Sequence, residues 1–388
     1  MKTLIYLTLL ICSLSSCFGQ TKKAPLSLIA PSDPLPQALS DKEIKSLTYS
    51  VDKGLKALAM LQLKDGSFRT VGHAKPAITS FAIMAFLSRG HKPGEGPYGK
   101  QLDKALNYVL AVQKKSGLFA EQEINYPLIN TKPQGGDFYG QGGASKTYCH
   151  AICMLMLGEV YGLTEPQRAF RIRQGITNGL KCTLQLWDIR KSTAQDDGGF
   201  RYTRPWTDHT ESDISVTGWY AASLRSIRNA GFDVPEKVMN RIAHYVIGNQ
   251  HSNGGFRYIG TTPSSFVMTA AGTLCVALAG KHNHPALKKS CLYLSRFSAD
   301  YRRSFLAYDG KYYPYYTCYY VTQASFQMGG ALWARCMKEC YRYLLPKQSS
   351  SGLWPNIGSA SHYGSAYSTS LAIIALTPSL QLLPIYQR

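Results

Sequence analysis

Six stretches of the chain are apolar almost without interruption. They are "AITSFAIMAFLSRG" from Ala77, "ASKTYCHAICMLMLGEVYG" from Ala144, "SDISVTGWYAASLRSIRNAG" from Ser212, "TPSSFVMTAAGTLCVALAG" from Thr262, "YYTCYYVTQASFQMGG" from Tyr315 and "SAYSTSLAIIALTPS" from Ser365. A helix that is apolar all round has to be covered on every side. The stretch before each one is amphipathic. "EIKSLTYSVDKGLKALAML" from Glu43 puts Leu47, Val51, Leu55, Leu58 and Leu61 near one stripe and lysines elsewhere. The pattern is least clear around "HPALKKSCLYLSRF" from His284.

The boundaries carry helix signals. Five of the six apolar stretches end at glycine, at Gly90, Gly162, Gly231, Gly280 and Gly330, where a left-handed terminal residue is wanted. Ser, Thr or Asp near their starts supplies acceptors for the first backbone N–H groups. Between the members of four of the six pairs runs a turn of one design, a glutamine followed by a glycine and then an aromatic: "QLKDGSF" from Gln62, "QKKSGLF" from Gln113, "QHSNGGF" from Gln250 and "QSSSGLW" from Gln348. A longer version runs from Gln185 to Gly198, Gly199 and Phe200.

No stretch competes with the period of a β-strand, so the chain from Asp41 to its end reads as all-α. Six helices needing cover on two sides, each with an amphipathic partner, close most economically into a ring. The expected fold is an (α/α)6 toroid, with six apolar helices inside and six amphipathic ones outside.

The repeated Gln…Gly-aromatic turns and the six helix pairs resemble the prenyltransferase and squalene-cyclase repeat superfamily. That group includes squalene–hopene cyclases, oxidosqualene cyclases and the β subunits of protein prenyltransferases. The resemblance covers nearly everything from Asp41 onward, and it implies a fold more than a reaction. In such a toroid the inner-helix starts gather at one end of a central cavity. The side chains there are Thr79, Ser80, Ser145, Tyr148, His150, Asp213, Ser215, Trp219, Ser264, Ser265, Tyr315, Tyr316, Tyr319 and Tyr367.

The resemblance sets three chemical expectations. In protein prenyltransferases zinc is held by Asp, by Cys two residues later, and by His on another inner helix. Here Asp213 matches, but Ser215 and Tyr316 stand in the other two places, and hydroxyls are poor zinc ligands, so no metal and no cofactor is expected. Squalene–hopene cyclases protonate an alkene with the Asp of a D-x-D-D-T run. "HTESDIS" keeps only Asp213, with Glu211 out of register and His209 nearby. Asp213, helped by Glu211, is thus the candidate catalytic acid, and it is equally a helix N-cap. The magnesium motif D-D-x-x-D is met only by Asp196-Asp197, which reads as a turn.

Seven tyrosines crowd "YDGKYYPYYTCYYVTQ" from Tyr308. Tyr315, Tyr316, Tyr319, Trp219 and His150 are the candidate ligand-binding residues, because aromatic faces stabilise carbocations or stack on sugars. His150 reads equally well as a satisfied core residue. Glu159, Asp188 and Glu211 leave room for a sugar-cleaving carboxylate pair. Three functions follow: a divergent terpenoid-cyclase-like protein binding an isoprenoid or similar apolar molecule, a non-catalytic cell-surface scaffold, and a carbohydrate-active α/α-barrel enzyme.

Composition changes the picture at the N-terminus and on the surface. "MKTLIYLTLLICSLSSCFG", residues 1–19, reads as a signal peptide, and Leu14-Ser15-Ser16-Cys17 also fits a lipobox that would acylate Cys17. Residues 20–40, rich in Pro, Ser, Lys and Leu, read as a tether. The expected location is outside the cytoplasm: periplasmic, extracellular or lipid-anchored at the envelope. The net charge of +20, from 43 Lys and Arg against 23 Asp and Glu, reads as a basic solvated exterior and, in an exported protein, also points to an anionic cell-surface polymer or lipid. It does not point to nucleic acid, since no binding signature is present. The chain is expected to act as a monomer, with its cysteines beyond Cys17 free in the core.

Overall fold

The computed structural model describes residues 27–32, 36–70, 74–122, 143–202, 212–297, 313–380 and 382–386. Among these residues there are twelve α-helices and no β-strand. The helices are α1 (Asp41–Ala59), α2 (Lys75–Leu87), α3 (Gly99–Ala111), α4 (Gly143–Val160), α5 (Pro166–Trp187) and α6 (Ile214–Asn229). They continue with α7 (Glu236–Gly248), α8 (Phe266–Leu278), α9 (Pro285–Phe297), α10 (Pro314–Met328), α11 (Gly330–Leu344) and α12 (Ser365–Leu376).

The even-numbered helices are the apolar ones, and they form a closed inner ring. Helix α2 packs on α4, α4 on α6, α6 on α8, α8 on α10, α10 on α12, and α12 back on α2. The odd-numbered helices lie outside against them. The toroid expected from the sequence is therefore the fold. No described helix is long and apolar enough to cross a membrane.

The turn motif is the device that spaces this ring. Gln62 Nε2 donates to the carbonyl of Gly66 within its own turn at 3.0 Å and to that of Gln101 on the next outer helix at 2.8 Å. Gln113 does the same to Gly117 and Gly175, Gln250 to Gly254 and Ala286, and Gln348 to Gly352 and Ser50. Each glutamine thus staples one outer helix to the next, and Gln348 staples the last, α11, to the first, α1. Gln185 differs: it lies exposed on α5, inside the helix rather than after it.

The motif glycine is required by the same contact. Gly66, Gly117, Gly198, Gly254 and Gly352 all have φ between 90° and 95°. A methyl group added at Gly254 would lie 2.7 Å from the Lys289 carbonyl oxygen on the neighbouring outer helix. Only glycine combines that φ with so close an approach.

The motif aromatic closes the unit onto its own inner helix. The backbone N–H groups of Phe68, Phe200, Phe256 and Trp354 donate to the hydroxyls of Thr79, Thr217, Thr269 and Thr369. In the second unit the acceptor is His150 Nδ1, 3.1 Å from Phe119 N.

The first and last described segments are tied down. Part of the segment expected to be a tether, 27–32, is docked instead: the carbonyls of Ser27 and Leu28 accept from Ala331 N and Leu332 N, and Ala30 N donates to the Met328 carbonyl. The reason is local, because α11 starts at Gly330 without a capping side chain and its first amides need acceptors. At the other end, residues 382–386 cross the C-terminal ends of the inner helices. Glu159 accepts from Ser226 Oγ at 2.5 Å and from Ile385 N at 3.0 Å, and Gln327 Nε2 donates to the Ile385 carbonyl at 3.2 Å. The signal peptide, the lipobox and Cys17 lie outside the described residues. All eight described cysteines are buried and none is joined in a disulfide.

Candidate functional site: a hydroxyl collar over an aromatic floor

The inner-helix N-termini bring together two layers of side chains. The lower layer is aromatic and centred on Trp219 of α6. Its ring lies 5.3 Å from that of Phe81 on α2, 4.9 Å from Tyr319 in a stacked arrangement, and 5.4 Å from Tyr320, both on α10. Phe81 also meets Tyr367 of α12, at 6.4 Å. Neither α2 nor α10 neighbours α6 in the ring, so these contacts run across its middle. Trp219 is 1% exposed, which means the centre is filled by rings at this depth.

The upper layer is a chain of hydroxyls. Tyr148 OH and Ser215 Oγ are 2.8 Å apart, and Ser215 Oγ and Tyr316 OH 2.6 Å. Tyr316 bridges the layers, its ring 6.2 Å from Trp219 and 4.8 Å from Tyr320. Beside Tyr148, at 6.0 Å between rings, stands Tyr202, whose OH is 3.1 Å from that of Tyr258. Tyr148, Tyr202, Tyr258 and Tyr316 are partly buried. Burial raises the pKa of all four phenols, which keeps them protonated as neutral donors and acceptors.

Asp213 sits at the edge of this collar with both carboxylate oxygens engaged. Oδ1 accepts from Val216 N at 2.7 Å, a helix N-cap, and Oδ2 accepts from Arg201 Nη1 at 3.3 Å. Burial pushes its carboxyl up to about 6, opposed by the Val216 N–H and the Arg201 guanidinium. The guanidinium lies 5.4 Å over the Tyr202 ring and 6.0 Å over the Tyr258 ring. Glu211, the proposed helper acid, and His209 lie outside the described residues.

The positions that would carry zinc in a prenyltransferase thus converge: Asp213, Ser215 and Tyr316 share one neighbourhood. Their chemistry does not suit the metal, since the latter two present hydroxyls already hydrogen-bonded to each other. Among the described residues no group of three His, Cys, Asp or Glu side chains is placed to hold a metal ion.

Two candidates turn away from the site. His150 is wholly buried between the second turn and α5. Its Nδ1 accepts from Phe119 N, so Nε2 carries the proton and donates to Thr183 Oγ1 at 2.9 Å. Burial lowers it to about 4, so it is a neutral part of the frame. Tyr315 faces outward and donates to the Pro355 carbonyl at 2.7 Å. A single residue step explains the difference, because adjacent residues point about 100° apart and Tyr316, not Tyr315, faces the middle.

Arg201, Tyr202 and Tyr258 are site residues that helix patterning passes over, since they follow turns. A signal does exist for them: "GGFRY" occurs twice, from Gly198 and from Gly254, and in both copies the tyrosine reaches the collar.

No family model matches the sequence, and no curated protein does. Among solved structures, the chain is similar to a point variant of the type II terpene cyclase MstE from Scytonema, in complex with geranylgeranyl dihydroxybenzoate. The TM-score is 0.55 and the identity 13%, over 89% of this chain and 100% of that one. It is similar as well to a glycosidase variant in complex with glucose, with TM-score 0.54, 13% identity and the same coverage. The fold is the α/α toroid. It is the architecture implied by the resemblance to the prenyltransferase and squalene-cyclase repeats, and this toroid shares it with terpene cyclases and glycosidases alike.

Proposed function

We propose that this toroid is a terpene-cyclase-like binding protein for an amphipathic isoprenoid-type molecule, seated at the inner-helix N-termini. The observation that carries the reading is the layering itself, hydroxyls of Tyr148, Ser215 and Tyr316 above the rings of Trp219, Tyr319 and Tyr367. A polar head would hydrogen-bond to the collar and an apolar portion would lie on the aromatic floor. The terpene-cyclase neighbour, whose structure is in complex with geranylgeranyl dihydroxybenzoate, supports a ligand of that build.

Turnover by protonation is the weaker half of the terpenoid reading. A protonating acid must hold a proton that it can give away. Asp213 instead receives donors on both oxygens, one of them a guanidinium. A glycosidase reading would require a second carboxylate opposite Asp213, and none of the hydroxyl groups of the collar can play that part.

The test is titration of the purified protein with geranylgeraniol, with glucose oligomers as the comparison, followed by tryptophan emission. Trp219 lies against Tyr316 and should report occupancy. Saturable quenching by the isoprenoid alcohol, weakened about tenfold or more in Tyr316→Ala, is expected. Saturable binding of the sugars alone would overturn the proposal.

A further inference from the structure

We propose that the outer face of α5 is a binding site for an acidic polysaccharide, separate from the collar. This helix is strongly basic. Over its 22 residues it carries Arg168, Arg171, Arg173 and Lys181 and not one Asp or Glu. Arg168 is held by Asp103 and Glu165. Arg171 and Arg173 are exposed, and Arg171 spends one N–H on Asn107 Oδ1 at 3.0 Å, leaving the rest of a five-donor fork for a ligand.

Those two arginines line a groove of about 490 Å³ along α5 beside α3. Leu110, Phe170, Gln174 and Asn178 complete its wall, and no acidic residue does. Phe170 is 60% exposed, an unusual position for a phenyl ring on an amphipathic outer helix. The groove floor is fixed rather than adaptable, because the Gly175 carbonyl is stapled by Gln113 Nε2 at 2.8 Å and a side chain at Gly175 would press on Leu110. An aromatic face, side-chain amides and guanidiniums around a rigid hollow are what a carboxylated sugar requires: stacking for the ring, hydrogen bonds for hydroxyls, bidentate pairing for the carboxylate.

A second hollow, of about 330 Å³, lies at the far end of the same helix, where Trp187, Arg190, Lys191 and Arg241 contribute. Asp188 and Asp197 line it too, Asp197 paired with Arg241, so three basic groups face two acids and the hollow keeps a small positive excess. An acid-free groove, followed along the same helix by a second hollow with a positive excess, suits a polymer better than a single sugar. A membrane surface is a poorer match, because the groove is concave and offers one exposed ring where an interfacial helix offers a whole apolar face. Nucleic acid would call for several stacking rings along the basic track.

The experiment is affinity electrophoresis of the intact protein in gels containing polygalacturonate or hyaluronate. Fully methyl-esterified polygalacturonate, anionic phosphatidylglycerol vesicles and single-stranded DNA are the comparisons. Expected is salt-sensitive retention by at least one acidic polysaccharide, lost on esterification. R171A/R173A should weaken that retention at least about tenfold, by removing charge-assisted hydrogen bonds. Phe170→Ala should weaken it several-fold, while Tyr316→Ala leaves it unchanged. Retention by neither polysaccharide overturns the proposal, as does equal retention of R171A/R173A, or stronger binding to the vesicles or the DNA.

Discussion

Ser215 Oγ and Tyr316 OH lie 2.6 Å apart, on helices that start 100 residues from each other in the chain. They occupy the places where the resemblance to prenyltransferases would put a zinc-binding thiolate and imidazole. The scaffold brings the positions together while the side chains decline the metal. Replacing the pair as S215C/Y316H should therefore create zinc binding beside Asp213. The unaltered protein should retain no zinc after dialysis, and the double variant about one equivalent by elemental analysis, as expected for a soft donor set.

His150 takes the part played by threonine in the first, third, fourth and sixth units. His150→Thr should be tolerated, because a hydroxyl there accepts the Phe119 N–H as Thr79 accepts that of Phe68. His150→Leu should cost about 1–3 kcal/mol in denaturant melts, by stranding a buried donor.

The same histidine gives the fold an acid sensitivity. Its folded pKa, about 4, lies below the ordinary 6.5, so the unfolded chain binds the proton more readily. Its contribution is intact above pH 6.5 and is lost as the pH falls toward 4, by up to about 3 kcal/mol. His150→Thr should flatten that part of a stability-against-pH curve.

Glu159 works in the opposite direction. Burial pushes its carboxyl from 4.5 up to about 7, so the folded state prefers it protonated and stability falls as pH rises through 4.5 to 7. An amide can donate to Ser226 Oγ and still accept from Ile385 N. Glu159→Gln should then raise stability at pH 8 by about 1–3 kcal/mol, leave it unchanged at pH 4, and slow amide exchange at Ile385.

Gln348 is the staple that joins the last unit to the first. Gln348→Ala removes its bonds to Ser50 and Gly352 and should destabilise by about 2 kcal/mol. Hydrogen exchange should show the loss concentrated in α1 and α11. Gly254→Ala should cost a comparable amount, through its φ of 91° and the Lys289 carbonyl.

The ring was legible because its causes are written locally and repeatedly: six all-round apolar helices, five glycine stops, and a turn whose glutamine, glycine and aromatic find partners in four copies. The site was legible only in part. Position at an inner-helix start identified Trp219, Tyr316 and Tyr319, yet the same criterion admitted His150 and Tyr315, whose angle around the helix sends them elsewhere. Arg201, Tyr202 and Tyr258 escaped because a turn has no period to betray which way it points. The docking of 27–32 escaped as well, since it depends on bare amides at Gly330 some 300 residues away.

The glutamine that returns from α11 to α1 has one more consequence. A ring of inner helices closed by packing at every step has no privileged starting point, so where translation begins is topologically arbitrary. A circular permutant opened between α6 and α7, where Gly231 and Asp233 are exposed, with its old ends fused, should assemble the same torus.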